Sequence, residues 1–112
     1  KEYILGKWKT NKTYSGMVVF YRFEITDNQI KCWRKGDATM AGAGSDEWAV
    51  NPDEVIDYNI GELETDSNNN KSRVLGNSSF GKFIIQAGHD NNDGWFQFVL
   101  PNDELGYPEK GW

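Results

Sequence analysis

The chain has 112 residues, the usual length of one domain, and its 14% aromatic content against 38% hydrophobic overall means that a few large rings must supply much of the core. Its 17 acids against 12 bases give a formal charge of −5, the wrong balance for nucleic acid or an anionic membrane surface, and no apolar run approaches the roughly 18 residues needed to span a bilayer. The lone cysteine, Cys32, excludes an intrachain disulfide and a cysteine-based zinc cluster, and the lone histidine, His89, excludes a metal site with several histidines.

The run around Trp8 reads as a first strand. From Gly16 to Thr26 a period of two places Val19, Tyr21, Phe23 and Ile25 on one face and Arg22 and Glu24 on the other, as in a strand with one buried side. Gln29 to Lys35 follows with Ile30 and Cys32 on one face and Lys31, Trp33 and Lys35 on the other. A two-residue turn at Asp27-Asn28 pairs Phe23 with Cys32 inside, and Arg22 with Trp33 and Glu24 with Lys31 outside. Cys32 is then an inert core thiol.

Gly36 to Ser45 is a small-residue loop, and Glu47 to Val50 a short strand containing Trp48. Asn51-Pro52-Asp53-Glu54 has the grammar of a helix start, but Ile56, Tyr58 and Ile60 alternate with Asp57 and Asn59, which favours a strand. Thr65 to Lys71 reads as a loop and Ser72 to Gly76 as a short strand. A second hairpin runs from Phe80 to Gly88 and from Gly94 to Leu100, pairing Ala87 with Phe96, Ile85 with Phe98 and Phe83 with Leu100 on one face. Pro101 to Trp112 reads as an irregular tail. The result is a single all-β domain over residues 1–112, of seven or eight short antiparallel strands, closed into a small β-barrel or packed as a β-sandwich.

Gly6-Lys7-Trp8 on the first strand, followed by up-and-down hairpins, resembles the calycin group, in particular the lipocalin-like domains of bacterial exported lipoproteins. The resemblance implies a barrel in which Gly6 and Trp8 are structural, with Trp8 closing one end. It also implies an arginine near the last strand stacked on that tryptophan. No arginine occurs after Arg73, which leaves Lys82 or Lys110 for the place.

Little of the sequence suggests catalysis. A hydrolytic triad would need His89 as its base, and neither Ser78 nor Ser79 has the setting of an activated serine. The acids between Asp46 and Asp66 read as a solvated face rather than a glycosidase pair. His89 to Gly94 imitates a calcium loop, but Leu100 stands where the bidentate acid belongs. No metal or other cofactor is expected. Asn11, Asn70 and Asn77 open triplets of the glycosylation pattern, which an Asn-rich chain contains readily by chance.

The expectation is a non-enzymatic binding module of an exported bacterial protein, at the cell surface, in the periplasm or secreted; a start at Lys1 fits a removed signal peptide or a cut within a longer chain. Its partner would be a small-molecule, lipid or glycan ligand, or another protein, with no nucleic acid and no membrane span. Tyr21, Phe23, Tyr58, Phe96 and Phe98 would line a small cavity at one barrel mouth, with Tyr21 and Tyr58 nearest the ligand. The alternatives are a carbohydrate-binding sandwich using surface Trp33 and Trp95, and a protein inhibitor or interaction domain contacting through loops.

Overall fold

The structure, a computed structural model, describes residues 4–14, 16–37, 48–65, 71–87, 94–101 and 104–112. The described residues form ten strands and no α-helix, in two five-stranded antiparallel sheets. The first sheet contains β1 (Gly6–Tyr14), β2 (Met17–Ile25), β3 (Gln29–Asp37), β4 (Glu54–Asp57) and β10 (Glu109–Lys110), in the order β10-β1-β2-β3-β4. The second contains β5 (Leu63–Thr65), β6 (Lys71–Ser78), β7 (Gly81–Ala87), β8 (Gly94–Val99) and β9 (Leu105–Gly106), in chain order.

The β2–β3 hairpin has the expected register: Ile25 opposes Ile30, Phe23 opposes Cys32 and Arg22 opposes Trp33. Its two-residue turn is closed by the Thr26 amide donating to the Gln29 carbonyl at 2.9 Å. The β7–β8 hairpin differs from expectation by two residues, with Phe83 opposite Phe98 and Ile85 opposite Phe96. A shift of two keeps every side chain on its predicted face, so the same rings still point inward. The connection between them, residues 88–93, lies outside the described residues, and with it the His89 calcium reading.

Three other expectations are corrected, and the strand favoured over a helix start after Asn51 is found as β4. Trp48 and Ala49 lie in no strand, and Val50 is exposed, because this stretch crosses the outside of the first sheet. Residues 51–53 form no helical turn; the Asp53 amide bonds to the Cys32 carbonyl and leads directly into β4. Ile60 is exposed, since β4 ends at Asp57 and the chain then turns towards the second sheet. The final residues are no irregular tail: β9 pairs with β8, and β10 pairs with β1.

The core lies between the sheets and draws on both. Val19, Tyr21, Phe23, Ile25, Ile30 and Cys32 meet Leu75, Phe83, Ile85, Phe96, Phe98 and Leu100 there, all buried. Leu75 joins them from β6, whose register against β7 shifts by one residue between Val74 and Gly76. At one edge a single stretch of chain serves both sheets. It pairs with β3 as β4, then bonds to β6 through the Asn59 amide to the Leu75 carbonyl at 3.3 Å and the Gly61 amide to the Val74 carbonyl at 3.1 Å. At the other edge the chain passes from β9 in the second sheet to β10 in the first.

Candidate functional site

The residues expected to line an interior cavity are brought together as packing. Phe23 lies edge-on to Phe83 at 5.0 Å and to Phe98 at 5.1 Å between ring centres, and Phe83 stacks on Phe96 at 5.9 Å. Tyr21 meets Phe98 edge-on at 5.3 Å. Tyr58 is buried in the same core cluster, at the turn end of β2, with its hydroxyl donating to the Thr26 carbonyl. Burial, and secondarily Asp27, raises its phenol above the ordinary tyrosine range. Tyr21 is five residues from Thr26, a backbone rise of about 16 Å along an extended strand, so the two tyrosines are anchored at different points of β2.

Trp8 and Gly6 hold the structural positions expected of them. Trp8 is buried in the core cluster, its indole N–H donates to the Ile4 carbonyl at 2.7 Å, and its ring lies 5.0 Å from that of Phe96. Lys110 places its ammonium 5.3 Å from the Trp8 ring centre. Gly6 has φ +120°, a backbone that side chains rarely adopt, and open space around its missing Cβ. Its requirement is therefore conformational rather than one of close approach.

On the outer face of the first sheet the structure departs further from expectation. Trp33 points outward as its phase requires, yet it is only 7% exposed. Trp112 covers it, edge-on at 5.3 Å, and the Trp33 indole donates to the Ala49 carbonyl at 2.9 Å. Arg22 does not stack on Trp33 but lies between two other rings, 4.5 Å from the centre of Trp48 and 5.0 Å from that of Trp112. Lys7 lies 4.4 Å from Trp112 on that ring's other contact, and Lys35 lies 5.8 Å from Trp48. The backbone of Trp95 in β8 pairs with that of Gln86 in β7. The Trp95 side chain lies outside the described residues.

Beside this ladder runs a cleft of about 610 Å³. Its lining takes in the outer face of β1 and β2, where Lys9 opposes Arg22, Asn11 opposes Phe20 and Phe20 opposes Lys35 of β3, and reaches round to Thr10 and Lys12, in the phase of Trp8, and to Leu105 and Gly106 of β9. Trp48 walls one side, and the final segment, with Tyr107 and Glu109, walls the other. Among the described residues its lining carries the cations Lys9, Lys12, Arg22 and Lys35 and the carboxylate of Glu109. Lys12 is joined to Glu104 at 3.2 Å. Of the residues expected to line an interior cavity, Tyr21 also touches the cleft.

Sequence reasoning missed this site because the β1 register was not derivable from β1 itself, a polar strand without a clear phase. The signal was nonetheless present in the outward positions of β2, where Phe20 and Arg22 stand side by side on a face read as solvent-facing.

The remaining chemistry-bearing groups serve the fold. Burial, with Glu54 and Asp53 adding to it, pushes the Cys32 thiol up to about 12. The Asp53 carboxylate accepts the Arg34 amide at 2.8 Å, and Glu54 accepts the amide and hydroxyl of Ser79 at 2.8 and 3.2 Å, tying β4 to the β6–β7 turn. Among the described residues no cluster of histidine, cysteine, aspartate or glutamate is arranged to hold a metal ion. No helix of the described residues is long and apolar enough to cross a membrane. Comparisons with protein-family models, with curated proteins and with solved structures find no match.

Proposed function

We propose that the chain is a non-enzymatic binding module of an exported bacterial protein, its two sheets forming the halves of a small calycin-like barrel, with its ligand in the cleft on the outer face of β1 and β2. The cleft carries this reading. At about 610 Å³ it falls within the range of small-ligand sites, about 300–1,000 Å³, and it combines rings with a few convergent polar groups. The barrel is supported by the segment that bonds to both sheets at one edge, and by Lys110 over Trp8 where the calycin group has an arginine. An interior ligand would have to displace Phe23, Phe96 and Phe98, each under 5% exposed, with Phe23 in ring contact with both of the others. Opening such packing costs several kcal/mol, roughly that of a large-to-small core change. The outer face requires no such displacement. Absence of catalysis is supported by Cys32, whose thiol stays protonated, and by Asp53 and Glu54, whose carboxylates accept backbone hydrogen bonds.

Saturation-transfer NMR with a panel of neutral and charged oligosaccharides tests the location. Trp48→Ala and Tyr107→Ala are each expected to weaken the best ligand about tenfold, equivalent to about 1.4 kcal/mol. Ligand-induced shifts confined to Phe23, Phe96 and Phe98, with the cleft silent, would move the site inside.

A further inference from the structure

We propose that the cleft takes an acidic saccharide whose oxyanion, a uronic carboxylate or a sulfate ester, lies in the plane of the Arg22 guanidinium; this rests on the cleft being the ligand site. Arg22 is half-buried and has ring contacts with both Trp48 and Trp112. Stacking uses the faces of a guanidinium, whereas its five N–H donors radiate in its plane, in the fork that matches a carboxylate or sulfate edge. Arg22 takes part in neither the Lys12–Glu104 nor the Lys31–Glu24 ion pair. Arg22 therefore has rings close by at both Trp48 and Trp112, and no ion-pair partner among the described residues. A cation withdrawn partly from water without a counter-charge is costly, and an arriving oxyanion relieves that cost.

Two neighbours extend the argument to a sugar rather than a free anion. Lys9, directly opposite Arg22 across the β1–β2 ladder, adds a second cation without an ion-pair partner among the described residues. Tyr107, 59% exposed on the opposite wall, offers a ring on which the C–H face of a pyranose can stack, and Asn11 on the floor can bond to hydroxyls. Single-stranded nucleic acid also seeks rings and cations, but it brings a charge with every nucleotide to a chain whose net charge is −5. A short acidic sugar brings one charge per ring or fewer and avoids most of that repulsion.

Titration calorimetry with four probes of matched length tests this: an oligogalacturonate, a heparin-derived sulfated oligosaccharide, a neutral cello-oligosaccharide and oligo-dT. One of the two acidic sugars should bind at least about tenfold more tightly than the neutral one, and weaken about tenfold between about 20 and 500 mM NaCl. Which of the two it is identifies the oxyanion. Arg22→Gln should remove the acidic preference, and Arg22→Lys, which keeps the charge but not the fork, should lose most of it. Lys9→Gln leaves the stacked ladder intact, so a several-fold loss there supports the inference even if an Arg22 variant folds poorly. Equal affinity for acidic and neutral sugars, with shifts at Trp48 and Tyr107, would overturn the acidic assignment and leave the cleft reading standing. Tighter binding of oligo-dT than of any sugar would overturn the assignment in favour of nucleic acid. Acidic binding that leaves Trp48 and Tyr107 unshifted, or no binding by any probe, would overturn both.

Discussion

Trp8 is held from three sides: its indole N–H bonds to the Ile4 carbonyl, its ring packs on Phe96, and the Lys110 ammonium lies over it. These contacts differ in weight. Truncating a buried tryptophan leaves a cavity that close-packed neighbours cannot fill, so Trp8→Ala should cost roughly 3–5 kcal/mol, whereas Lys110→Ala should cost about 0.5–1 kcal/mol, as for an exposed cation–π pair. Guanidinium denaturation of both variants checks the ranking, and a loss below about 1 kcal/mol for Trp8→Ala would remove that ring from the core. Cys32 supplies a different test, in pH. Its native thiol titrates at about 12 against an ordinary 9.0, so between those values the unfolded chain has lost a proton that the native chain retains. Stability from this group is thus complete below pH 9 and falls as pH rises towards 12, by up to about 1.4 kcal/mol per unit. Tyr58, also raised, adds to the fall from its own ordinary value of 10.0 upward. Wild-type protein should therefore lose more stability than Cys32→Ala between pH 8 and pH 10.5, measured by urea midpoints, and parallel curves for the two would contradict a protonated thiol in that range.

The strands show where pattern sufficed and where it did not. The β2–β3 hairpin was readable because a two-residue turn leaves one register and the alternation in both strands agrees with it. In the β7–β8 hairpin the faces were readable but the register was not, since a longer connection permits slips of two that keep the same rings inside. Strands β9 and β10 have two residues each and no period to read. Burial of Trp33 was invisible for a related reason: its phase is outward, and its cover, Trp112, is set by the distant pairing of β10 with β1. The cleft depends on the same pairing and was hidden with it. The β6–β7 turn is a local feature whose demands are specific. The Ser78 hydroxyl accepts the Phe80 and Gly81 amides, each at 3.2 Å, and donates to the Gly81 carbonyl at 2.8 Å. Gly81 has φ +155°, and a Cβ there would stand 2.5 Å from both the Val99 carbonyl oxygen and the Phe98 ring. The ring is in the packed core and the carbonyl is backbone, so neither yields cheaply. Gly81→Ala is expected to cost at least about 1–3 kcal/mol, the usual penalty of overpacking, read as a drop in thermal midpoint. A midpoint within a degree of wild type would mean that β7 can shift outward without loss.

At the scale of the whole molecule, the first sheet is sandwiched between two aromatic layers, the shared core on one side and the Trp33–Trp112–Arg22–Trp48 ladder on the other. The outer layer hangs on the end of the chain. The Gly111 amide bonds to the Lys7 carbonyl at 2.8 Å, and the Trp112 indole reaches the Phe23 carbonyl at 3.4 Å. Trp112→Ala removes one edge-on ring pair, worth about 0.5–1.5 kcal/mol, and two cation–π contacts at about 0.5–1 kcal/mol each. Because Trp112 remains 37% exposed and such terms overlap, the expected loss is roughly 2 kcal/mol rather than that of a fully buried tryptophan. The loss should also be local in character. With the inter-sheet core untouched, unfolding should stay a single transition, while the Trp33 indole N–H, bonded to Ala49, should exchange with solvent much faster than in wild type. Since Trp33 depends on Trp112 for its cover, adding Trp33→Ala to Trp112→Ala should cost less than Trp33→Ala does alone. Additive losses together with unchanged indole exchange would show that Trp112 lies on the sheet without enclosing Trp33, and that the outer aromatic layer adds nothing to the stability of the first sheet.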